Sequence, residues 1–118
     1  MPELKSKQAL AFRSRCPVSS TLDLIGDRWT MLVIRDLVLG ASHFKDFLAS
    51  PEGIPTNILS NRLRSMETQG LLSKVPYQSH PIRYAYHLTD KGKGLLPVMR
   101  SLKKWGMDWI PDRDPTPP

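Results

Sequence analysis

A single cysteine, Cys16, stands in this chain of 118 residues. One thiol excludes an internal disulfide and a cysteine metal cluster, and it agrees with a reducing compartment; pairing between two chains stays open. Histidine is nearly as scarce, and His43, His80 and His87 share no spacing of a zinc site. There is no Gly-rich phosphate loop and no nucleophile elbow, and the acids are scattered over predicted helix surfaces and caps. These absences argue against an enzyme and predict no metal and no cofactor. No apolar run approaches the roughly 18 residues that span a bilayer, and the N-terminus has no apolar signal-peptide core. A cytoplasmic protein with no membrane partner is expected.

What the chain does contain is enough for one domain. A hydrophobic content of 40% with 24% charged residues is near the globular average, so a single core is expected rather than disorder. The net charge is +6, which suits a polyanionic partner without identifying one. Residues 1–16 carry four positive charges and one negative, residues 17–54 three positive and five negative, and basicity returns from residue 55. The expected organisation is a basic arm over 1–15, a folded domain over 16–110 and an extended Pro-rich tail over 111–118.

Apolar periodicity predicts the elements in order. A first helix starts at Pro17, with Val18, Leu22 and Ile25 at i, i+4, i+7, and stops at Gly26. Asp27 then caps a helix that is apolar almost all round, which places it centrally, and Gly40 ends it. A short helix fits 44–49, followed by the turn Pro51, Glu52, Gly53 and a fourth helix over 56–69. Segments 71–77 and 83–88 alternate and are rich in aromatic and β-branched residues, so they predict a β-hairpin too short to stand alone. Thr89 caps a last helical stretch that Pro97 kinks or divides. The fold class is mainly α with a small β-hairpin: a winged helix-turn-helix.

On the fourth helix Leu59, Leu63 and Met66 share one side, Ile58 lies at its edge, and Asn57, Asn61, Arg64 and Thr68 lie opposite, with Ser60 between. Asn bonds adenine bidentately and Arg bonds guanine, so Thr56, Asn57, Ser60, Asn61 and Arg64 are the candidate base contacts. The alternative is a solvated surface face, but this one is poor in acids until Glu67 and follows a short helix and precedes a hairpin. Ser42, His43 and Lys45, at the start of the preceding helix, are candidate phosphate contacts through backbone N–H groups and cations. The wing tip adds His80 and Arg83, with a cross-strand surface arginine as the alternative for Arg83.

The run Cys16, Pro17, Val18, then TLDLIGDRWT over 21–30, IPTNILSNRLR over 54–64 and PIRYAYHLTDKG over 81–92 together resemble the HxlR-type helix-turn-helix regulators, relatives of the MarR winged-helix group. The likeness covers about residues 16–106, in order. It implies a homodimer on a pseudo-palindromic operator, with double-stranded DNA and a second copy of the chain as partners. The chain departs from the family pattern at Ala85, where an acid is frequent, and at His43, where arginine is frequent. The resemblance also implies an oxidant or electrophile effector acting at Cys16, which sits at the start of the first helix near Arg13 and Arg15; the alternative is a structural cysteine.

In the last helix the apolar residues exceed what one hairpin needs, so Leu95, Leu102, Trp105 and Trp109 are the expected dimer contacts, with core packing as the alternative. A winged helix can also bind protein. The acid-poor polar face of Asn57, Asn61 and Arg64 beside Arg83 suits DNA better. RNA fits poorly because no exposed sheet carries stacking aromatics.

Overall fold

The computed structural model describes residues 11–115, so most of the expected arm and the end of the tail lie outside the described residues. Helix α1 (Pro17–Ile25) opens with Pro17 at N1, where a missing N–H costs nothing, and closes on Gly26. Helix α2 (Thr30–Val38) follows a turn in which the Asp27 carboxylate accepts from the N–H groups of Trp29 and Thr30, each at 2.9 Å. Asp27 thus caps α2, as expected from the sequence. The chain leaves α2 through Gly40 at φ 108°, a backbone conformation that favours glycine.

Helices α3 (Phe44–Leu48) and α4 (Thr56–Thr68) form the helix-turn-helix. Strands β1 (Leu72–Ser79) and β2 (Ile82–Leu88) follow, paired antiparallel from Leu72 opposite Leu88 to Ser79 opposite Ile82. The register shifts between Pro76 and Gln78, a bulge at Tyr77. The strands run closer to the tip than alternation predicted, and the His80–Pro81 peptide there is cis.

An isolated bridge outside the hairpin has no signal in the sequence. Tyr86 donates its N–H to the carbonyl of Ser42 at 2.8 Å, and His43 bridges Ala85 antiparallel. The wing is therefore hydrogen-bonded to the α2–α3 connection as well as packed on the helices, which gives a short hairpin the support it needs.

Beyond the wing, Thr89 accepts from the Gly92 N–H at 3.1 Å and donates to the Gly70 carbonyl, capping the short helix α5 (Asp90–Lys93). Helix α6 (Leu96–Trp109) comes next. Pro97 divides the two by sitting in the first turn of α6, where its absent donor breaks no ladder bond.

One core lies where α2, α3, α4 and the hairpin meet. Val33 and Ile34 of α2, Phe47 of α3, Leu59, Leu63 and Met66 of α4, and Leu71 and Leu72 at the start of the wing are all buried there. Each such side chain stabilises the fold by about 1.5–3 kcal/mol relative to exposure. Helix α6 contributes no buried residue. No helix among the described residues is long and apolar enough to cross a membrane.

Candidate nucleic-acid interface

Helix α4 has two faces because its apolar residues recur with helical period. Leu59, Leu63 and Met66 are buried and Ile58 is half-buried, whereas Thr56, Asn57, Asn61, Arg64 and Thr68 are exposed. Ser60, expected between the faces, is half-buried. The Arg64 guanidinium reaches the Asn61 Oδ1 at 3.4 Å, a long bond that leaves both groups able to turn outward.

Two polar linkages seat this helix. Asp27 accepts from the Thr30 hydroxyl at 2.5 Å in addition to its two N–H donors, and it faces Arg62 of α4 at 3.5 Å. Burial pushes the Asp27 carboxyl up, but the Thr30 hydroxyl, the N–H donors and Arg62 outweigh it, and the net shift is below its ordinary value. Arg62 is thereby committed to the protein rather than to the exposed face. Arg35 of α2 clamps the turn before α4, donating to both carboxylate oxygens of Glu52 at 2.7 and 2.9 Å and to Ser50 at 2.8 Å. The Arg35 guanidinium outweighs partial burial and holds the Glu52 carboxyl at about 2.

At the start of α3 two of the backbone donors expected to face a phosphate are taken within the chain. The Asp46 carboxylate already accepts from the N–H groups of Ser42 and His43, at 3.1 and 2.9 Å, and those donors hold the carboxyl below its ordinary value. The carbonyl of Ser42 is taken by Tyr86. Ser42 and His43 therefore have no backbone donors to offer a phosphate, and Asp46 is a residue the sequence reading did not single out.

His43 faces the wing. Its ring stacks on Tyr77 with centroids 4.0 Å apart and planes 8° from parallel. The small Ala85, which pairs with His43 on one side and with Val75 of β1 on the other, lies between the segments that carry these rings.

The structure brings His43, Lys45 and Arg83 to one cleft of about 250 Å³, walled by Phe44, Tyr77, Ile82, Tyr84 and Tyr86. Ser42 and His80 do not line it; His80 is exposed at the wing tip.

A separate apolar surface runs over α1 and α6. Leu102, Trp105 and Trp109 are exposed by 55%, 61% and 71%, whereas Leu95 is half-buried against the core of its own chain. Val18 and Leu22 of α1, whose pattern suggested an inward face, are exposed by 68% and 51%. They line a groove of about 410 Å³ with Ile25, Met31, Val98 and Leu102. Cys16 is exposed at the N-cap of α1. Of the two cations expected beside it, Arg13 is paired with Asp23 at 2.5 Å.

Three comparisons bear on this geometry. An uncharacterised HTH-type transcriptional regulator of Mycobacterium tuberculosis is 41% identical over 94 residues, which cover 80% of this chain and 59% of that relative. The chain thus spans well under two thirds of the length of that relative. The crystal structure of PA1607, described as a candidate transcription factor, superposes with a TM-score of 0.77 at 39% identity, covering 86% of this chain and 72% of that one. The redox regulator HypR in its oxidised form superposes with a TM-score of 0.72 at 31% identity, covering 84% and 99% of the two chains. The HxlR-like helix-turn-helix model matches residues 24–114, from α1 through α6, and the chain belongs to that family.

Proposed function

We propose that the chain is a DNA-binding transcriptional regulator that acts as a homodimer on a pseudo-palindromic operator. The observation that carries this reading is the exposed face of α4: Thr56, Asn57, Asn61 and Arg64 stand outward on a helix whose other face is buried, whose middle is held to Asp27 through Arg62 and whose preceding turn is held by Arg35 through Glu52. These side chains suit base edges in a major groove, with Ser60 at the margin. Lys45 and Arg83 on the flanking cleft, with His80 at the wing tip, suit phosphates and fix the register. The exposed apolar face of α6 supports a dimer through Leu102, Trp105 and Trp109, extended by Val18 and Leu22 of α1. A two-fold dimer presents two recognition helices to one side of the duplex.

Selection from random duplex DNA tests the proposal. A two-fold motif is expected, with half-sites about one helical turn, roughly 34–36 Å, apart. Recovery of duplexes with no common motif at physiological salt would overturn the sequence-specific reading.

A second layer concerns Cys16, which is exposed at a helix N-terminus with Arg15 beside it, in a chain similar to a protein described as a redox regulator. The proposal is that an oxidant or electrophile acts on this thiol and changes operator affinity. Diamide treatment is expected to shift the duplex dissociation constant of the wild type and not of Cys16→Ser. An unshifted wild type refutes the switch.

A further inference from the structure

Helix α4 has two flanks, and different parts of the fold hold them. At about 100° of rotation per residue, Arg62 lies about 100° from the outward Asn61 in one sense and Glu67 about 120° in the other. Glu67 faces Lys74 of β1 at 3.6 Å, and Lys74 sits over the Tyr84 ring of β2 at 4.5 Å, so that flank belongs to the wing. Arg62 faces Asp27 at 3.5 Å, so the opposite flank belongs to the turn between α1 and α2. The phosphate contacts already proposed, Lys45 and Arg83, share the cleft between α3 and the wing. A major groove, however, has a sugar–phosphate backbone on each side. A helix lying in it with cations on the wing side alone leaves one of the two strands without a counter-charge.

The turn on the Arg62 flank carries a cation able to fill that place. Between Pro17 and Gln69, Arg35 is taken by Asp36 and Glu52, Arg62 faces Asp27, Arg64 reaches Asn61, and Lys45 is on the wing side. Arg28 is exposed, and no hydrogen bond or ion pair among the described residues engages it. Gly26 and Asp27, the residues before it, are exposed as well, so the surface of the turn is open. The neighbouring acid is already satisfied. Asp27 accepts from the N–H groups of Trp29 and Thr30 and from the Thr30 hydroxyl, and Arg62 counters its charge. What the turn presents to an approaching anion is therefore the Arg28 charge.

We propose that Arg28 binds a backbone phosphate on the strand across the major groove from the one held by Lys45 and Arg83, so that each recognition helix is gripped from both flanks. Arginine suits this place because its planar fork donates two parallel hydrogen bonds to phosphate oxygens, and no contact within the fold competes for them. The contact reads no base. It fixes how α4 sits in the groove, and with that which base edges Asn57, Asn61 and Arg64 reach. The inference rests on the DNA-binding reading and adds to it a contact residue outside both the helix-turn-helix and the wing.

A methylphosphonate scan of the selected duplex, in which the charge of one phosphate at a time is removed, tests this grip on the full chain. Arg28→Gln is expected to bind the unmodified duplex at least about fivefold more weakly at 0.15 M salt and to lower the salt slope by about one per half-site, whereas Arg28→Lys keeps the slope. In the wild type, one methylphosphonate position per half-site is expected to cost as much as Arg28→Gln does, and to cost that variant nothing further. That position is expected on the strand opposite the one where Arg83→Gln becomes insensitive. An Arg28→Gln chain with wild-type affinity and slope overturns the contact and leaves Arg28 a solvated surface cation. So does an Arg28→Gln chain that stays sensitive at every position, which would make its charge act at long range only. Insensitivity of Arg28→Gln and Arg83→Gln at the same phosphate overturns the grip from two flanks. Circular dichroism reports the fold of each variant, and the wild-type scan stands without them: a wild type indifferent to every phosphate on the far strand also overturns the proposal. A wild type that binds no duplex at all refutes the DNA-binding reading and this contact with it, whereas a wild type that binds while Arg28→Gln binds equally refutes the contact alone.

Discussion

Single side chains in this molecule carry separable tasks. Glu52 is the clearest case, because the Arg35 clamp holds its carboxyl at about 2 against an ordinary value of 4.5. A carboxyl lowered by folding contributes stability that is fully present above its unfolded value and is lost as pH falls through its folded one. The urea midpoint of the wild type is therefore expected to fall between about pH 5 and pH 2, and more steeply than that of Glu52→Gln; parallel slopes would refute this assignment. Gly92 is constrained by space rather than charge. It is buried, and a Cβ there would fall on the carbonyl oxygen of Leu71 and crowd Leu88. Gly92→Ala is expected to cost about 1–3 kcal/mol in denaturant unfolding, the usual cost of overpacking. Two arginines divide the proposed DNA contacts. Arg64→Ala should relax one base position in each half-site at a cost of about 1–3 kcal/mol, whereas Arg83→Ala should weaken all duplexes alike and reduce the salt slope by about one. Competition binding against a panel of point-substituted duplexes reads both outcomes.

At the scale of elements, the two-faced helix α4 was fully legible, because a period of 3.6 held over consecutive residues assigns Leu59, Leu63 and Met66 to one side and Asn57, Asn61 and Arg64 to the other. Periodicity states that a face is apolar, not what covers it. Val18 and Leu22 are on such a face in α1, yet they stand exposed, and only Ile25 of that helix is buried. Leu95 was grouped with the apolar residues of the last helix, but the break before Pro97 leaves it ahead of α6, against the core. The isolated bridge at His43 was illegible because Ser42 and His43 are too few to show alternation. Likewise the Arg35 and Glu52 pair, 17 residues apart, has no local signature. The seat of α4 can be tested at this scale. Asp27 both caps α2 and faces Arg62, so Asp27→Ala is expected to cost about 1 kcal/mol through the lost cap. Asp27→Asn keeps a capping oxygen and removes the charge, and it is expected to recover most of that loss. Thermal unfolding of the two variants decides whether the cap or the ion pair matters more, and equal losses would assign the effect to the ion pair.

For the whole molecule, the distribution of apolar surface is uneven in a way that one copy does not resolve. Helix α6 spans Leu96–Trp109 without one buried residue, yet it carries Leu102, Trp105 and Trp109. A helix with a strong apolar stripe and nothing buried has no packing partner for that stripe among the described residues. The groove beside it, lined by Val18, Leu22, Val98 and Leu102, continues the stripe onto α1. Two copies related by a two-fold axis would cover both stripes at once, since such an interface uses the same patch on each chain. Trp109→Glu combined with Leu102→Glu places two charges on this surface and leaves the buried core untouched. The double variant is expected to sediment as a monomer with wild-type circular dichroism. Because each monomer then holds only one half-site, operator affinity should fall at least about a hundredfold while weak binding to an isolated half-site persists. A double variant that sediments as a dimer would move the interface elsewhere, and a monomer with undiminished operator affinity would show that one winged helix suffices.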